Sequence, residues 1–479
     1  MKKRILSFFL AILLLLTALP VSSVFAAEDI KGFAADVTDT DETVSGWALD
    51  DLIKGLYYGV YPMSWEDKDM TAPITQGQLR ILLAQFRLKI LNTDCVTKNP
   101  DTIYSFSKKI TVENIINTFY TMLTGMEFTS DIGINGKTAL KFMKDNGIYS
   151  GTNGELKLTD TCSIEQACVI AIRLVTYVYD KLDAASKGFF WVTKSGGNTV
   201  YMLGSIHLAT TDIYPLSEDI IKAYESSDAL VEELDALNIK GAMSVASLGM
   251  YTDGTSLKDH ISAETYKKVI ELGALYGYTE DILSLFKPWY LYSIFSSLAY
   301  TGNGDGEAAD EASSLGIDMN FLVNAYLTGK PVMEVEGYEF QAKVLDSFSD
   351  ELEEYMLNFT IDQIQKGIET NDNESTQLLN LALELWHEGD VETFLSVNSS
   401  EDENPELSAD DPKEAQLLNE YNEKLITQRD KGMAEYIDKL LKAEGSSTYF
   451  VVVGSGHYIS DHSVIDILKE KGYEITQIK

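Results

Sequence analysis

The sequence predicts two folded parts in series: an all-α N-terminal bundle and a C-terminal α/β domain with a mixed sheet and a large helical insertion. Helix starts with one capping pattern recur through the first part. In the second part, apolar runs at 199–203 and 449–453 each lead into a Gly-x-x-His tetrad, and helical patterns fill most of the chain between them. Strands separated by helices are typical of α/β folds. We place the segment boundaries at 1–26, 27–185 and 186–479.

The first segment has the layout of a secretory signal peptide. Three basic residues precede an apolar run over 5–19, and a stretch of small residues ends near Ala26. This order is typical of a cleaved signal, and the run, interrupted by Pro20, is short for the alternative, a membrane anchor. We therefore expect cleavage after Ala26, no integral membrane segment afterwards, and a secreted or cell-surface protein.

The composition excludes some classes of partner. The formal net charge is −36, from 74 acidic and 38 basic residues. Such a surface repels nucleic acid and anionic lipid, so we expect neither as a main partner. The three cysteines are too few, and odd in number, for a full disulfide framework, and we expect them to be small core residues.

Residues 28–183 contain a degenerate repeat. Thr75 and Ser163 stand 88 residues apart, each with Gln three positions later, and Thr111 opens a third helix between them. A Thr or Ser followed at the third position by a polar side chain is the pattern of a capping box at a helix N-terminus. The repeat therefore predicts three helical units that pack on one another, each too small to fold alone.

The repeat resembles surface-layer homology (SLH) modules, in which Trp-Ala, a Gly-Ile turn and a Thr-capped helix follow one another. Trp47-Ala48, Gly147-Ile148 and the helix after Thr75 carry the resemblance. It implies a three-fold helical bundle that binds cell-wall polymers at a Gram-positive cell surface. No Arg follows the capping residue in any copy, whereas those modules open with a basic-acidic pair. A helical scaffold without a ligand is therefore the alternative.

The C-terminal domain opens with a hairpin and a βαβ unit. Gly196-Gly197-Asn198 between two apolar runs predicts the hairpin. A helix over 217–226 and a strand over 228–235 then complete a βαβ unit, whose two strands should be parallel. The remaining elements are predicted in this order: helices over most of 262–330, a strand over 330–336, a long helical stretch, and a final strand, tetrad, helix (463–471) and strand (473–478).

The two tetrads point to a site. Gly204 begins the tetrad that ends at His207, and Gly454 begins the one that ends at His457, in a chain with only five histidines. Each glycine should let the backbone turn sharply after its strand. Ligands bind open α/β sheets beyond the carboxyl ends of the strands, where both histidines are expected. Two structurally satisfied histidines are the alternative.

The strand over 228–235 supplies carboxylates. Because strand side chains alternate, Glu233 and Asp235 should share one face, with Glu232 on the other. His207, His457 and Glu233 would form a divalent-metal set with positions left for water and substrate. Direct acid/base chemistry, with one His as base and Glu233 orienting it, is equally consistent with the spacing.

A wider series of landmarks resembles one family over 189–479. The landmarks are Trp191, Tyr201–Leu208, Tyr214-Pro215-Leu216, Ser227–Asp235, Lys287-Pro288-Trp289, Gly316-Ile317-Asp318, Ala325, Gly329–Val332, Glu336, Gln341, Arg429-Asp430, Met433, Gly454–His457 and Gly472-Tyr473. In this order they resemble the TraB/PrgY/GumN family, which includes the TIKI proteases. The resemblance implies a fold related to the erythromycin-esterase-like (EreA) and ChaN-like proteins. It also implies an active site of the two tetrad histidines and Glu233.

Three further residues match family positions. Arg429 would pair with a carboxylate or hold a substrate carboxylate through its forked guanidinium. Asp318 and Glu336 also match, with a helix cap and a structural hydrogen bond at a strand end as their alternatives. Asp430 departs from the pattern, because the family usually has Asn after the Arg.

The resemblance favours a metal-dependent, peptidase-like hydrolase. Its cofactor would be a divalent ion such as Mn²⁺, Co²⁺ or Zn²⁺, and its substrate a peptide or protein. Two other functions stay open on the sequence. One is a non-catalytic protein that sequesters a peptide, of the pheromone-shutdown type, and the other is a wall-anchored structural protein.

Overall fold

The computed structural model describes residues 43–65, 68–93, 95–98, 109–151, 155–300, 306–370, 374–398 and 412–479. Of these residues, 43–186 and 211–218 form one compact unit, and 187–210 and 219–479 form another. The predicted signal peptide, 1–26, lies outside the described residues. In the described part of the chain, every helix falls short of the length and apolarity needed to cross a bilayer.

The N-terminal unit is almost entirely helical. Its helices are α1 Leu49–Tyr57, α2 Gln76–Leu91, α3 Val112–Thr124, α4 Ala139–Asp145 and α5 Ile164–Leu182. Two short strands, β1 Val96–Thr97 and β2 Met126–Glu127, pair antiparallel. The all-α prediction missed this pair, which at two residues a strand is too short to show an alternating pattern.

The predicted helix starts are confirmed. Each forms a complete capping box: Thr75 with Gln78, Thr111 with Asn114, and Ser163 with Gln166. The backbone of Cys162 joins these starts, because its amide donates to the Ile110 carbonyl and its carbonyl accepts from the Ile74 amide, both at 3.0 Å. The three cysteines are buried thiols, as expected for core residues.

The C-terminal unit is built on a six-stranded mixed sheet. Its strands are β3 Phe190–Ser195, β4 Asn198–Ser205, β5 Ala229–Glu232, β6 Val332–Glu334, β7 Thr448–Gly454 and β8 Ile475–Ile478, in the order β6-β5-β7-β4-β3-β8. Strands β6, β5, β7 and β4 are parallel, whereas β3 is antiparallel to both neighbours. The predicted hairpin and the common direction of β4 and β5 are confirmed, with β7 lying between those two strands.

Helices fill the rest of this unit. They are α6 Glu218–Glu225, α7 Ile239–Leu248, α8 Ala263–Leu275, α9 Glu280–Leu283, α10 Pro288–Tyr300, α11 Gly306–Ser314, α12 Ile317–Thr328, α13 Tyr338–Leu345, α14 Asp350–Thr370, α15 Glu374–Glu388, α16 Val391–Asn398, α17 Pro412–Asn422, α18 Gln428–Lys442, α19 Ser455–Ile459 and α20 Val464–Glu470. A π-helical turn, Glu423–Thr427, joins α17 to α18. Most of these helices lie between β5 and β7 in the chain, which is the predicted helical insertion.

Strand β5 ends at Glu232, three residues earlier than predicted. The Glu233 carbonyl accepts hydrogen bonds from the Glu336 and Gly337 amides, at 3.0 and 2.9 Å, and the Asp235 amide donates to the Glu334 carboxylate at 2.9 Å. These bonds end the ladder after Glu232. The prediction that Glu233 and Asp235 share a strand face is therefore wrong.

The core of the sheet lies along β7. Phe450–Val453 are buried on both faces, as expected for a central strand between parallel neighbours. Because β7 is central, the residues that follow it emerge between those that follow β4 and β5. This topology brings the two tetrads together although about 250 residues separate them.

Candidate functional site

The carboxyl ends of the four parallel strands form one edge that carries the predicted site residues. His207 lies two residues beyond β4, His457 three beyond β7, Glu233 directly after β5, and Glu336 two beyond β6. His207, His457 and Glu233 are each less than 5% exposed. The sequence therefore placed these residues at the correct edge of the sheet.

Both tetrad glycines make contacts within the site. A Cβ on Gly204 would lie 2.7 Å from the Ser455 hydroxyl oxygen, so a larger residue would push the two tetrads apart. Gly454 donates its amide hydrogen to Glu233 Oε1 at 2.7 Å. The first glycine thus allows close approach of the chains, and the second supplies a backbone donor.

His207 is oriented by Asp318, in the first turn of α12. Its Nδ1 lies 3.0 Å from Asp318 Oδ1, which also accepts from the Ser205 hydroxyl at 2.6 Å. Burial acts to lower the pKa of His207, but the charge and hydrogen bond of Asp318 outweigh it and raise that pKa. Asp318 therefore fixes the ring so that Nε2 points away from it.

His457 is held in the same way by Asp430, on α18. Its Nδ1 lies 2.6 Å from Asp430 Oδ1, and the Ser460 hydroxyl donates to Asp430 Oδ2 at 2.9 Å. Both His457 and Asp430 are fully buried. The residue that departs from the family pattern is therefore the one that orients the second histidine.

Arg429 binds two carboxylates of the site. Its Nη2 donates to Glu233 Oε2 at 2.5 Å, and its Nε donates to Glu336 Oε1 at 3.0 Å. The Gln341 amide donates to both carboxylates, at 3.0 and 3.1 Å. Of the two roles predicted for Arg429, the structure shows the carboxylate pair. Glu336 is the second partner in this ion-pair cluster.

The cluster keeps Glu233 ionised. Burial acts to raise the pKa of Glu233, but Arg429, followed by His457 and His207, lowers it to about 2. Burial also acts to lower the pKa of Arg429, yet Glu336 and Glu233 raise it above its ordinary value. Glu233 is thus a buried carboxylate whose charge is balanced by a guanidinium.

Several polar atoms at this edge have no hydrogen-bond partner among the residues that the structure describes. They are His207 Nε2, His457 Nε2, Glu232 Oε1, Ser455 Oγ and Tyr458 Oη, all buried. His457 Nε2 lies 4.0 Å from Glu233 Oε1, beyond hydrogen-bonding distance. Buried polar atoms are nearly always paired in folded proteins, so their concentration at one sheet edge indicates a site built to receive a ligand.

The predicted three-ligand metal set is not assembled. Within the residues that the structure describes, no group of three or more His, Cys, Asp or Glu side chains could hold a metal ion. Glu233 is bound instead by Arg429, Gln341 and the Gly454 amide. The two imidazoles nevertheless suit a metal, because each has Nδ1 against a carboxylate and Nε2 without a partner.

A cavity of about 10 Å³ adjoins His207. It is lined by His207, Glu232, Glu233, Leu234, Ala236, Asp318, Leu322 and Val452. Burial, with Asp318 and Glu233, raises the pKa of Glu232 well above its ordinary value. The sequence did not identify Glu232, because alternation placed it opposite Glu233. An acid at the end of an otherwise apolar strand was the signal that could have identified it.

Asp235 lies outside this cluster. Its carboxylate accepts hydrogen bonds from the Tyr326 hydroxyl and from the Leu237 amide, the latter at 3.0 Å. It therefore shapes the loop after β5, and the structure does not bring it to the histidines.

The C-terminal unit is similar to known proteins. The model of the TraB/PrgY/gumN family matches residues 189–477. The "Metalloprotease TIKI homolog" of Nematostella vectensis is 23% identical over 333 residues, covering 61% of this chain and 67% of that protein. "Metalloprotease TIKI2" of Danio rerio is 22% identical over 310 residues, 57% of each chain. The "Uncharacterized protein YbaP" of Escherichia coli is 24% identical over 159 residues, 33% of this chain and 56% of that protein.

No solved structure matches the chain significantly. The chain spans 56% to 67% of the length of these relatives. The family match begins at residue 189, so the surface-layer resemblance of the N-terminal part stays a prediction.

Proposed function

The chain belongs to the TraB/PrgY/gumN family, and from this membership we propose that its C-terminal unit is a metal-dependent, peptidase-like hydrolase. The relatives named metalloproteases support this reaction class. One structural observation carries the proposal. Two buried histidines lie at one sheet edge, each held through Nδ1 by a carboxylate, and each has an Nε2 without a partner in the described part of the chain.

The residues divide into contacting and positioning groups. His207 and His457 would hold the metal through Nε2, and a divalent ion such as Mn²⁺, Co²⁺ or Zn²⁺ would polarise a peptide carbonyl and lower the pKa of water. Asp318 and Asp430 fix the two rings, which is the usual role of a carboxylate behind a metal-binding histidine.

The Arg429 cluster positions the second tetrad. Glu233 accepts from the Gly454 amide while Arg429 holds Glu233, so the cluster fixes the backbone from which His457 projects. This arrangement supports a positioning role for Glu233, which is one of the two roles that the sequence left open, the other being that of a metal ligand. A carboxylate bound to a guanidinium attracts a cation less strongly than a free one.

Peptide cleavage by the full chain tests the proposal. The protein is treated with a chelator, resupplied with Mn²⁺, Co²⁺ or Zn²⁺, and incubated with a broad peptide library. We expect wild type and a His462→Asn control to cleave peptides after metal is returned, because His462 is exposed. His207→Ala and His457→Ala should be inactive.

Two outcomes would contradict the hydrolase. If the histidine variants cleave as fast as wild type, the site lies elsewhere. If wild type retains library peptides without cleaving any, the protein sequesters peptides instead.

For the N-terminal unit we propose cell-wall attachment of a secreted chain, supported by its three capped helix starts. Sedimentation of the full chain with purified Gram-positive cell walls tests this. Loss of sedimentation on deleting 27–185 is the expected result. Equal sedimentation with and without that segment would leave a helical scaffold as its role.

A further inference from the structure

We propose that Glu232 holds the attacking water of the reaction, in the cavity that it shares with His207. This inference rests on the proposed hydrolase function and adds a residue to it. In peptide hydrolysis the water oxygen bonds to the carbonyl carbon as the C–N bond breaks. The hydrogens of the water end on the new carboxyl group and the leaving amine. A site for that water must therefore adjoin the group that binds the peptide carbonyl.

Burial of the Glu232 side chain costs free energy unless a bound molecule pairs with it. It is the last residue of β5, is 3% exposed, and has an Oε1 atom to which no described residue is hydrogen-bonded. Its neighbours on the sheet are the apolar strand β7 and the short strand β6. Burying a carboxyl oxygen without a hydrogen bond is unfavourable, so the buried Oε1 indicates a molecule that pairs with it.

The volume of the cavity limits which molecule can bind in it. Its volume of about 10 Å³ is close to that of a single water-sized sphere. A peptide side chain is far larger than this space. The cavity therefore suits one water molecule and excludes the rest of the substrate.

The polar lining supplies the hydrogen bonds that a buried water needs, which are two to four. Glu232 Oε1 and His207 Nε2 are both unpartnered, and both residues line the cavity. Leu322 and Val452 close other sides with apolar surface. Water both donates and accepts, so Glu232 binds it whether the carboxyl group is ionised or protonated. In the metal-free protein His207 Nε2 is the second partner of the water, and an ion bound at Nε2 would take that place, so the water site adjoins the proposed metal site.

Two substitutions separate hydrogen bonding from packing. Glu232→Gln keeps a donor and an acceptor, so we expect a kcat within about threefold of wild type. Glu232→Leu removes both, and we expect kcat to fall on the order of tenfold with KM unchanged, since one hydrogen bond to the water is lost. Thr360→Val is the matched control, because it removes another buried, unpartnered oxygen from α14 and should leave kcat unchanged.

The same series can overturn the inference. A Glu232→Leu enzyme with wild-type kcat, or one altered only in KM, would contradict water binding, as would an equal loss in Glu232→Gln. If Glu232→Leu does not fold, Val452→Ile replaces it, because the added methylene occupies the same cavity, and the same fall in kcat is expected. A Val452→Ile enzyme with wild-type kcat would contradict the inference.

A crystal structure tests the water site independently of the proposed hydrolase activity. If wild type cleaves no peptide, the proposed reaction fails, but a high-resolution crystal structure of the full chain still tests the site. One ordered water bonded to Glu232 and, in metal-free crystals, to His207 Nε2 would support the water site. A dry cavity would overturn it.

Discussion

Removing Arg429 should destabilise the protein far more than removing an ordinary surface arginine. Arg429 is 3% exposed and is the cation facing Glu233 and Glu336. Arg429→Met leaves both carboxylates buried with their charge uncompensated. Breaking a buried ion pair by removing one partner costs about 3–5 kcal/mol.

The pKa of Glu233 gives a second measure of this cost. Its pKa falls from 4.5 to about 2, which corresponds to about 3 kcal/mol of preference for the charged form at neutral pH. Arg429 is the largest of the groups that lower it. Most of that preference should be lost in Arg429→Met. The two measures agree on a loss of about 3 kcal/mol or more.

Urea unfolding at pH 7, followed by tryptophan fluorescence, measures the loss. Arg173→Met is the matched control, because Arg173 pairs with Asp51 at 2.7 Å but is 36% exposed, and such pairs contribute about 1 kcal/mol or less. Adding Glu233→Gln and Glu336→Gln to Arg429→Met should restore much of the stability. If Arg429→Met loses no more than Arg173→Met, or if the two Gln substitutions restore nothing, the charge argument is wrong.

Three further predictions concern other buried polar groups. Asp430→Ala should lower peptide cleavage and metal affinity about 10- to 100-fold, because the ring of His457 is then no longer held in place. An unchanged metal affinity would show that Asp430 does not orient His457. Burial raises the pKa of Glu353 to about 8. Wild type should therefore lose stability relative to Glu353→Gln as the pH rises from about 4.5 to 8, by at most about 5 kcal/mol. A stability difference that does not change with pH would contradict this prediction. Asn198→Ala should lower the free energy of unfolding in urea by about 2 kcal/mol. The side-chain amide of Asn198 donates to carbonyls near the end of α18, and its oxygen accepts from the Ser447 amide. A loss below about 0.5 kcal/mol would refute that role.

Local patterns in the sequence predicted much of the fold. The capping boxes at Thr75, Thr111 and Ser163 depend on side chains three residues apart, so the sequence shows them directly. The tetrads at the ends of β4 and β7 were equally visible, because each follows a buried apolar run. These features need no knowledge of distant contacts.

Contacts between distant residues limited the remaining predictions. The end of β5 is set by amides of Glu336 and Gly337, about 100 residues further on, so the face of Glu233 could not be read from alternation. Asp318 meets His207 across 111 residues. The hydrogen bond between Glu233 and Arg429 joins residues 196 positions apart, so it too could be seen only in the folded structure. The family resemblance named most of these residues but not their pairings.

Metal analysis of the purified full chain tests the central claim most directly, which is that the two Nε2 atoms form a binding site. After chelation and dialysis against Zn²⁺, Mn²⁺ or Co²⁺, wild type and His462→Asn should retain one equivalent of metal. The His207→Ala/His457→Ala variant should retain none. Equal metal in the double variant and wild type, or none in wild type, would contradict the account.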